Sequence, residues 1–187
     1  GNSLLLLSAY PLMFIFEKTF GFLSDASLTE LADTNQPLLR QLAELAPGTF
    51  QHSLQVANLA EDAIRHIGGN ALLVRTGALY HDIGKMENPL YFIENQIPGT
   101  NIHEQFDAAE SARIVISHVE NGLLLAQKNS LPKQISDFIS THHGTTLARY
   151  FYYTWLKDHE EEMRKKIIQN VSSVIQVRVP FQRKLLS

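Results

Sequence analysis

Four stretches of this chain carry apolar residues at the three- and four-residue spacing of an amphipathic helix, and each places histidine on or beside its apolar side. On the first, His52 opens a face that continues through Val56, Leu59, Ala60, Ala63 and Ile67. On the second, Leu73, Val74, Gly77 and Ala78 lie one and two turns before His81. Ile114 and Val115 share a face with His118 on the third, and Ile135, Phe138 and Ile139 set His142 and His143 along the stripe of the fourth. One histidine on such a face is ordinarily a hydrogen-bonded core residue. Five of them from four helices, with the carboxylate of Asp82 that is costly to bury unpaired, describe one shared metal centre instead. The chain has no cysteine, so a metal there must be held by His, Asp or Glu. Neutral imidazoles plus a carboxylate suit Mn, Fe, Co or Zn, whereas Ca or Mg takes a mostly oxygen shell. His66 beside Gly68 and Gly69, His103 in a polar loop and His159 in a charged run fall outside the set.

The remaining signals point to an all-α fold in one main domain. The 187 residues, 44% hydrophobic and 19% charged, are enough for one buried core and too few for two substantial domains. With 16 basic against 19 acidic residues the balance is −3, which argues against long nucleic acid as a partner. Neither GxGxxG nor the P-loop pattern occurs, and no internal repeat is present. Two short supporting helices come first, with Asp25 or Ser27 as the cap of one and Pro37 opening the other. The His52 helix is predicted to be capped by Thr49 and stopped by Gly68 and Gly69, and the His81 helix to end near Gly84. Asp107, Ala108, Ala109 and Glu110 form a capping box for a helix running to about Asn129. A fourth helix follows Pro132 and ends at Gly144.

The two ends read differently. Residues 4–16, LLLLSAYPLMFIF, cover about 20 Å as a helix and cannot cross a bilayer alone, since crossing takes roughly 20 residues. From the residues themselves they fit a core helix, the stump of a membrane helix or a partner-binding segment. KDHEEEMRKK near the other end reads as a solvated charged run, and the VIQVRVPFQRKLLS stretch as an irregular tail, because Pro180 follows its strand-like alternation at once.

The doublet His81-Asp82, extended as HDIGK through Lys85, resembles the HD superfamily of metal-dependent phosphohydrolases, and the ordered set His52, His81-Asp82, His118 and His142-His143 makes the match specific. More narrowly, SDASLTELADTNQPLLRQLAELAPGTFQHSLQVANLAE, GALYHDIGKMENPLYFIENQ and THHGTTLARYFYY resemble the cytoplasmic domain of the seven-transmembrane, PgpH-type HD proteins over residues 14–157. The resemblance implies a helical bundle around a dinuclear centre of two divalent transition metals, with Mn or Fe ahead of Co or Zn. His52, His81 and Asp82 would hold one ion together with a later aspartate. His118, His142 and His143 would hold the second, with Asp82 bridging. It implies hydrolysis of cyclic di-AMP to pApA. It also implies that residues 1–20 are a membrane-proximal helix ending a transmembrane region, with residues 21–187 the HD domain on the cytoplasmic side of a bacterial inner membrane. The GYP signature of the cyclic di-GMP hydrolases is absent.

Further residues follow from the same likeness. Lys85 is placed to act in catalysis and meet a phosphate oxygen, or is a surface lysine at a helix end. Thr145, Thr146 and Arg149 follow the histidine pair and are candidates for the second phosphate or ribose. In the loop after the HD doublet, Tyr91 and Phe92 offer stacking and Asn95 and Gln96 offer base-edge contacts, unless the loop is only a packed connection. One departure stands out. After His143 the sole aspartate is Asp158, embedded in KDHEEEM, which is an unconvincing equivalent of the family's last ligand. The chain passes from EEMRKK directly to IIQNVSSVIQ, without the family's polar loop, and reads as pieces joined across gaps after about residue 157; the other reading is a lost ligand. The alternatives to a cyclic di-AMP phosphodiesterase are an HD hydrolase of cyclic di-GMP or nucleoside phosphates, and a nucleotide sensor that does not cleave.

Overall fold

The computed structural model describes residues 21–159 throughout and, before them, Ala9, Pro11, Leu12, Ile15, Glu17 and Thr19. Most of residues 4–16, and both EEMRKK and the VIQVRVPFQRKLLS stretch, lie outside the described residues. Among the described residues no strand forms and no helix is long and apolar enough to cross a membrane. Seven α-helices are described: α1 Asp25–Leu31, α2 Pro37–Leu45, α3 Pro47–Ile67, α4 Ala71–Tyr80, α5 Ala108–Lys128, α6 Lys133–Thr141 and α7 Arg149–Asp158. Between α4 and α5 run four single 3-10 turns, Ile83–Glu87, Pro89–Tyr91, Ile93–Asn95 and Ile102–Gln105. The all-α expectation holds.

Helix α4 is the centre of the bundle, packed by α1, α3 and α6, while α5 packs on α6, α7 and the turn Ile83–Glu87. Its composition allows this: Thr76, Gly77, Ala78, Leu79 and Tyr80 are all buried. The core formed around it contains Leu28, Leu39, Leu42, Leu79, Ile83, Ile135 and Ile139, none more than 1% exposed. Each fully buried Leu or Ile contributes roughly 1.5–3 kcal/mol of transfer free energy, so these seven carry much of the gross stabilisation. The phenol of Tyr80 donates to the carbonyl of Leu31 at 2.9 Å, tying α1 down.

Several local expectations need correction. Ser24, not Asp25 or Ser27, caps α1, its hydroxyl accepting from the Ser27 N–H at 3.2 Å. Helix α3 begins at Pro47, so Thr49 lies inside the first turn and its hydroxyl is directed elsewhere. The face Val56 to Ile67 is not the buried one: Leu59 is 72% and Ile67 76% exposed, and α3 buries Thr49, Ser53 and Ala57 instead. Small side chains set the phase of this helix because it lies close to α4, and large apolar residues at i, i+3 and i+4 misled the reading. Helix α4 stops at Tyr80, earlier than Gly84, and the chain changes to a 3-10 turn after His81 and Asp82. The Asp107 cap of α5 is as expected, with Oδ1 accepting from the Glu110 N–H at 2.7 Å.

Candidate metal centre

The change of winding at the end of α4 is what exposes the HD doublet to its partners. His81 keeps helical angles, but Asp82 leaves them (φ −111°, ψ 15°), so neighbouring side chains that a helix would fan apart turn to one side. His118 comes from the middle of α5, and His142 and His143 from the end of α6. His52 comes from the second turn of α3.

Three of the rings are aimed in the same way. Nδ1 of His81 donates to the carbonyl of Ala78 at 2.7 Å, Nδ1 of His142 to that of Ile139 at 2.9 Å, and Nδ1 of His118 to that of Val115. A carbonyl only accepts, so Nδ1 carries the hydrogen and each neutral ring presents a bare Nε2. His118 Nε2 and His142 Nε2 face one another at 3.3 Å, and His143 Nε2 lies 3.0 Å from His118 Nε2. Asp82 is 2% exposed and divides its two oxygens between the groups. Oδ2 lies 3.1 Å from His81 Nε2, and Oδ1 lies 3.5 and 3.4 Å from His118 and His142 Nε2. Oδ1 has no hydrogen bond although it is buried. Lone pairs gathered against an unbonded carboxylate oxygen are the arrangement a cation satisfies.

Two ligand groups result, His52, His81 and Asp82 in one, and Asp82, His118, His142 and His143 in the other. Within each, the ligating atoms lie within 4.8 Å of one another. These nitrogen and oxygen donors fit divalent transition ions, and they are the residues of the two sets that the resemblance implies, without the later aspartate of the first. Burial pulls the His118 and His143 rings below the ordinary histidine range, His143 to about 4 with His142 and His118 adding to the effect, so both are neutral and ligand-ready near pH 7. Burial would also lower His81, but the adjoining Asp82 carboxylate outweighs it. Asp82 is held well below the carboxylate range, because His142, His81 and Lys85 overcome the burial that would raise it.

The other candidates are placed less centrally. Lys85 is 12% exposed at its side chain and bridges two carboxylates, with Nζ 2.8 Å from Asp82 Oδ2 and 2.7 Å from Glu94 Oε1. It is therefore not a surface lysine. Asn95 gives both amide atoms to Thr49, and Gln96 donates Nε2 to the Leu90 carbonyl at 2.9 Å. Tyr91 packs its ring on His103 and Phe106, and lines, with Phe92, Gln96, His103, Tyr150 and Phe151, an apolar cavity of about 730 Å³ beside the centre. Phe92 joins the two, its ring standing edge-on to His118 at 5.6 Å. Thr145, Thr146 and Arg149 are exposed, and Thr146 reaches His143 through the backbone. Asp158 is exposed and belongs to neither group. His66 and His159 bond carbonyls of their own segments and His103 bonds that of Tyr91, all apart from the ligand groups. Sequence reasoning missed Glu94, Thr49, Tyr150 and Phe151. The one sequence signal for Glu94 is that it is the only acidic residue of residues 88–97.

A helical bundle whose helices deliver a histidine, an HD doublet, a histidine and a histidine pair to shared points defines a class, and the chain belongs to the HD domain family, which matches residues 49–174. Within it, the chain is 48% identical over 139 residues to the cyclic-di-AMP phosphodiesterase PgpH of Listeria monocytogenes, covering 74% of this chain and 19% of that one. It is 43% identical over 153 residues to the cyclic-di-AMP phosphodiesterase PgpH of Bacillus subtilis, covering 82% and 21%. The chain thus spans about a fifth of the length of these curated relatives. The crystal structure of the L. monocytogenes phosphodiesterase PgpH HD domain in complex with cyclic-di-AMP superimposes with a TM-score of 0.70 at 39% identity, covering 80% of this chain and 67% of that one.

Proposed function

We propose that this domain is a metal-dependent phosphodiesterase that hydrolyses cyclic di-AMP to pApA. The observation that carries the reading is the division of the Asp82 oxygens between two histidine groups. It is supported by the PgpH relatives in two bacteria and by the likeness to an HD domain solved with cyclic-di-AMP. His52, His81 and Asp82 would hold one ion and Asp82, His118, His142 and His143 the other. Two divalent ions of this kind, Mn or Fe ahead of Co or Zn, supply when bound an acidified water and neutralisation of charge on phosphoryl oxygens.

The protein's own part is positioning. The carbonyls of Ala78, Val115 and Ile139 keep three Nε2 atoms aimed inward, and Lys85 fixes Asp82 Oδ2 while leaving one of its three donors for a phosphate oxygen. The cavity lined by Tyr91, Phe92, Tyr150 and Phe151 offers faces for a base to stack on, and the Gln96 side-chain oxygen is left to accept from an exocyclic amine. Thr145, Thr146 and Arg149 stand at the exposed rim for the second phosphate or ribose. The localisation follows the same reading: the cytoplasmic domain of a bacterial inner membrane protein, attached through a transmembrane region that the apolar residues 4–16 would end.

A second reading, a sensor that binds the dinucleotide without cutting it, is favoured by one observation: the His52 group has three donors among the described residues, and Asp158 does not join it. Incubating the purified domain with Mn or Fe and following cyclic di-AMP, cyclic di-GMP and a dNTP side by side by chromatography decides between them. The expected result is pApA from cyclic di-AMP well ahead of turnover of the others. Binding without product would establish the sensor, and a preference for cyclic di-GMP would overturn the substrate assignment.

A further inference from the structure

His52 is held differently from the rings opposite it. His81, His118 and His142 lean on carbonyls of their own chain segments, whereas the His52 ring makes no hydrogen bond among the described residues. Its contact is the ring of His81, 5.8 Å away between centroids. Its place is therefore set by where the first turns of α3 lie. That start lacks a cap of its own, because Ala46 precedes Pro47 and has no side-chain acceptor for the unpaired N–H groups of the turn.

Residues from the loop after the HD doublet fill that role. The buried N–H of Thr49 donates to Asn95 Oδ1 at 3.1 Å, and Asn95 Nδ2 donates back to the Thr49 hydroxyl at 2.8 Å. The same hydroxyl donates to Glu94 Oε1 at 3.0 Å, and that oxygen also accepts from Lys85 Nζ. Gly48 marks the closeness of the docking, since a Cβ there would stand 1.8 Å from the Glu94 carbonyl oxygen. A continuous run of bonds thus joins Asp82, Lys85, Glu94 and Thr49, and His52 lies three residues beyond Thr49 on the same helix.

We propose that Thr49 and Asn95, backed by Glu94, are positioning residues that fix His52 against His81 and Asp82 and so set the affinity of that ligand group alone. The second group shares Asp82, but its three histidines come from α5 and α6, and none of them bonds to Thr49 or Asn95. The proposal rests on the metal-dependent reading above. Loss of such an outer partner typically weakens a metal site 10- to 100-fold.

The test is Mn titration by calorimetry of the wild-type domain, Thr49→Val, Thr49→Ser, Asn95→Ala, His52→Ala and the Thr49→Val/His52→Ala double variant. The wild type should take up two ions. Thr49→Val and Asn95→Ala should weaken one of them by about 10- to 100-fold and leave the other unchanged, while Thr49→Ser, which keeps the hydroxyl, should restore wild-type binding. The double variant should bind no more weakly than His52→Ala, because nothing remains to be positioned. Equal weakening of both ions, additive losses in the double variant or an unaltered Asn95→Ala protein would overturn the proposal. Should Thr49→Val not fold, Asn95→Ala, a half-buried loop residue, decides alone. Fewer than two ions in the wild type would instead fell the two-metal reading itself and this proposal with it.

Discussion

Gly84 meets the backbone carbonyl of His118 so closely that a Cβ on it would stand 1.8 Å from the oxygen. That contact seats the turn Ile83–Glu87 on α5 and holds Asp82 within reach of the His118 ring. Gly84→Ala is expected to force the two elements apart and destabilise the domain by about 3 kcal/mol, the upper part of the range for overpacking. Urea unfolding of the metal-free protein measures it. A change below about 0.5 kcal/mol, the range of ordinary surface substitutions, would show that the backbone yields there at little cost.

Replacing Asp82 by Asn removes the carboxylate both ligand groups share. Turnover should fall by more than the roughly 100-fold typical of a lost outer partner, and both ions should be released together in equilibrium dialysis. His66→Ala and His159→Ala, outside both groups, should retain wild-type turnover and metal content. A variant protein that kept one ion would argue that Asp82 serves a single group.

Acid should act on the metal-free fold as well as on the ions. His118 and His143 have pKa values lowered from 6.5, His143 to about 4, so the unfolded chain binds more protons than the folded one in that interval. Their stabilising contribution is complete above about pH 6.5 and declines as pH falls toward 4. His81 is raised and opposes them, its contribution being full below 6.5 and lost as pH rises through its folded value. With two rings against one, thermal melts of the metal-free domain should shift downward from pH 7 to pH 4.5. A melting temperature that rises over that interval would contradict the balance.

The aromatic cavity should matter for binding more than for chemistry. Phe151→Ala removes a stacking face worth about 1–3 kcal/mol per base, so KM for cyclic di-AMP should rise about tenfold or more with kcat little changed. Steady-state kinetics separates the two constants, and a loss confined to kcat would place Phe151 outside the binding surface.

The candidate ligand residues were legible because histidine recurs on or beside the apolar stripes of four predicted helices, although the stripe assigned to His52 is not the face that α3 buries. His52, His81, Asp82, His118, His142 and His143 all fall within the two groups. What failed to show was which way small residues turn a helix. Thr49, Ser53 and Ala57 carry too little hydrophobicity to outweigh Leu59 and Ile67 in a periodicity count, yet they are the α3 residues that become fully buried, with Phe50, Leu54 and Val56 packing beside them. The two readings of Asn95 could not be separated in the sequence for a related reason: an amide suited to a base edge is equally suited to an uncapped helix turn, and only tertiary proximity chooses. The fate of Lys85 depended on Glu94, nine positions away, a distance at which no helical or strand period applies.

The anchoring of three rings to carbonyls has an evolutionary side. Ala78, Val115 and Ile139 contribute main-chain oxygen, which every amino acid supplies, so no single substitution at those positions deletes the acceptor. The aim of His81, His118 and His142 is inherited from helix geometry and survives sequence drift for as long as the helices do. His52 has no such insurance, for its support is written in the side chains of Thr49, Asn95 and Glu94. One flank of the centre is therefore robust to mutation and the other tunable by it, and variation among related domains in metal affinity should collect on the tunable side.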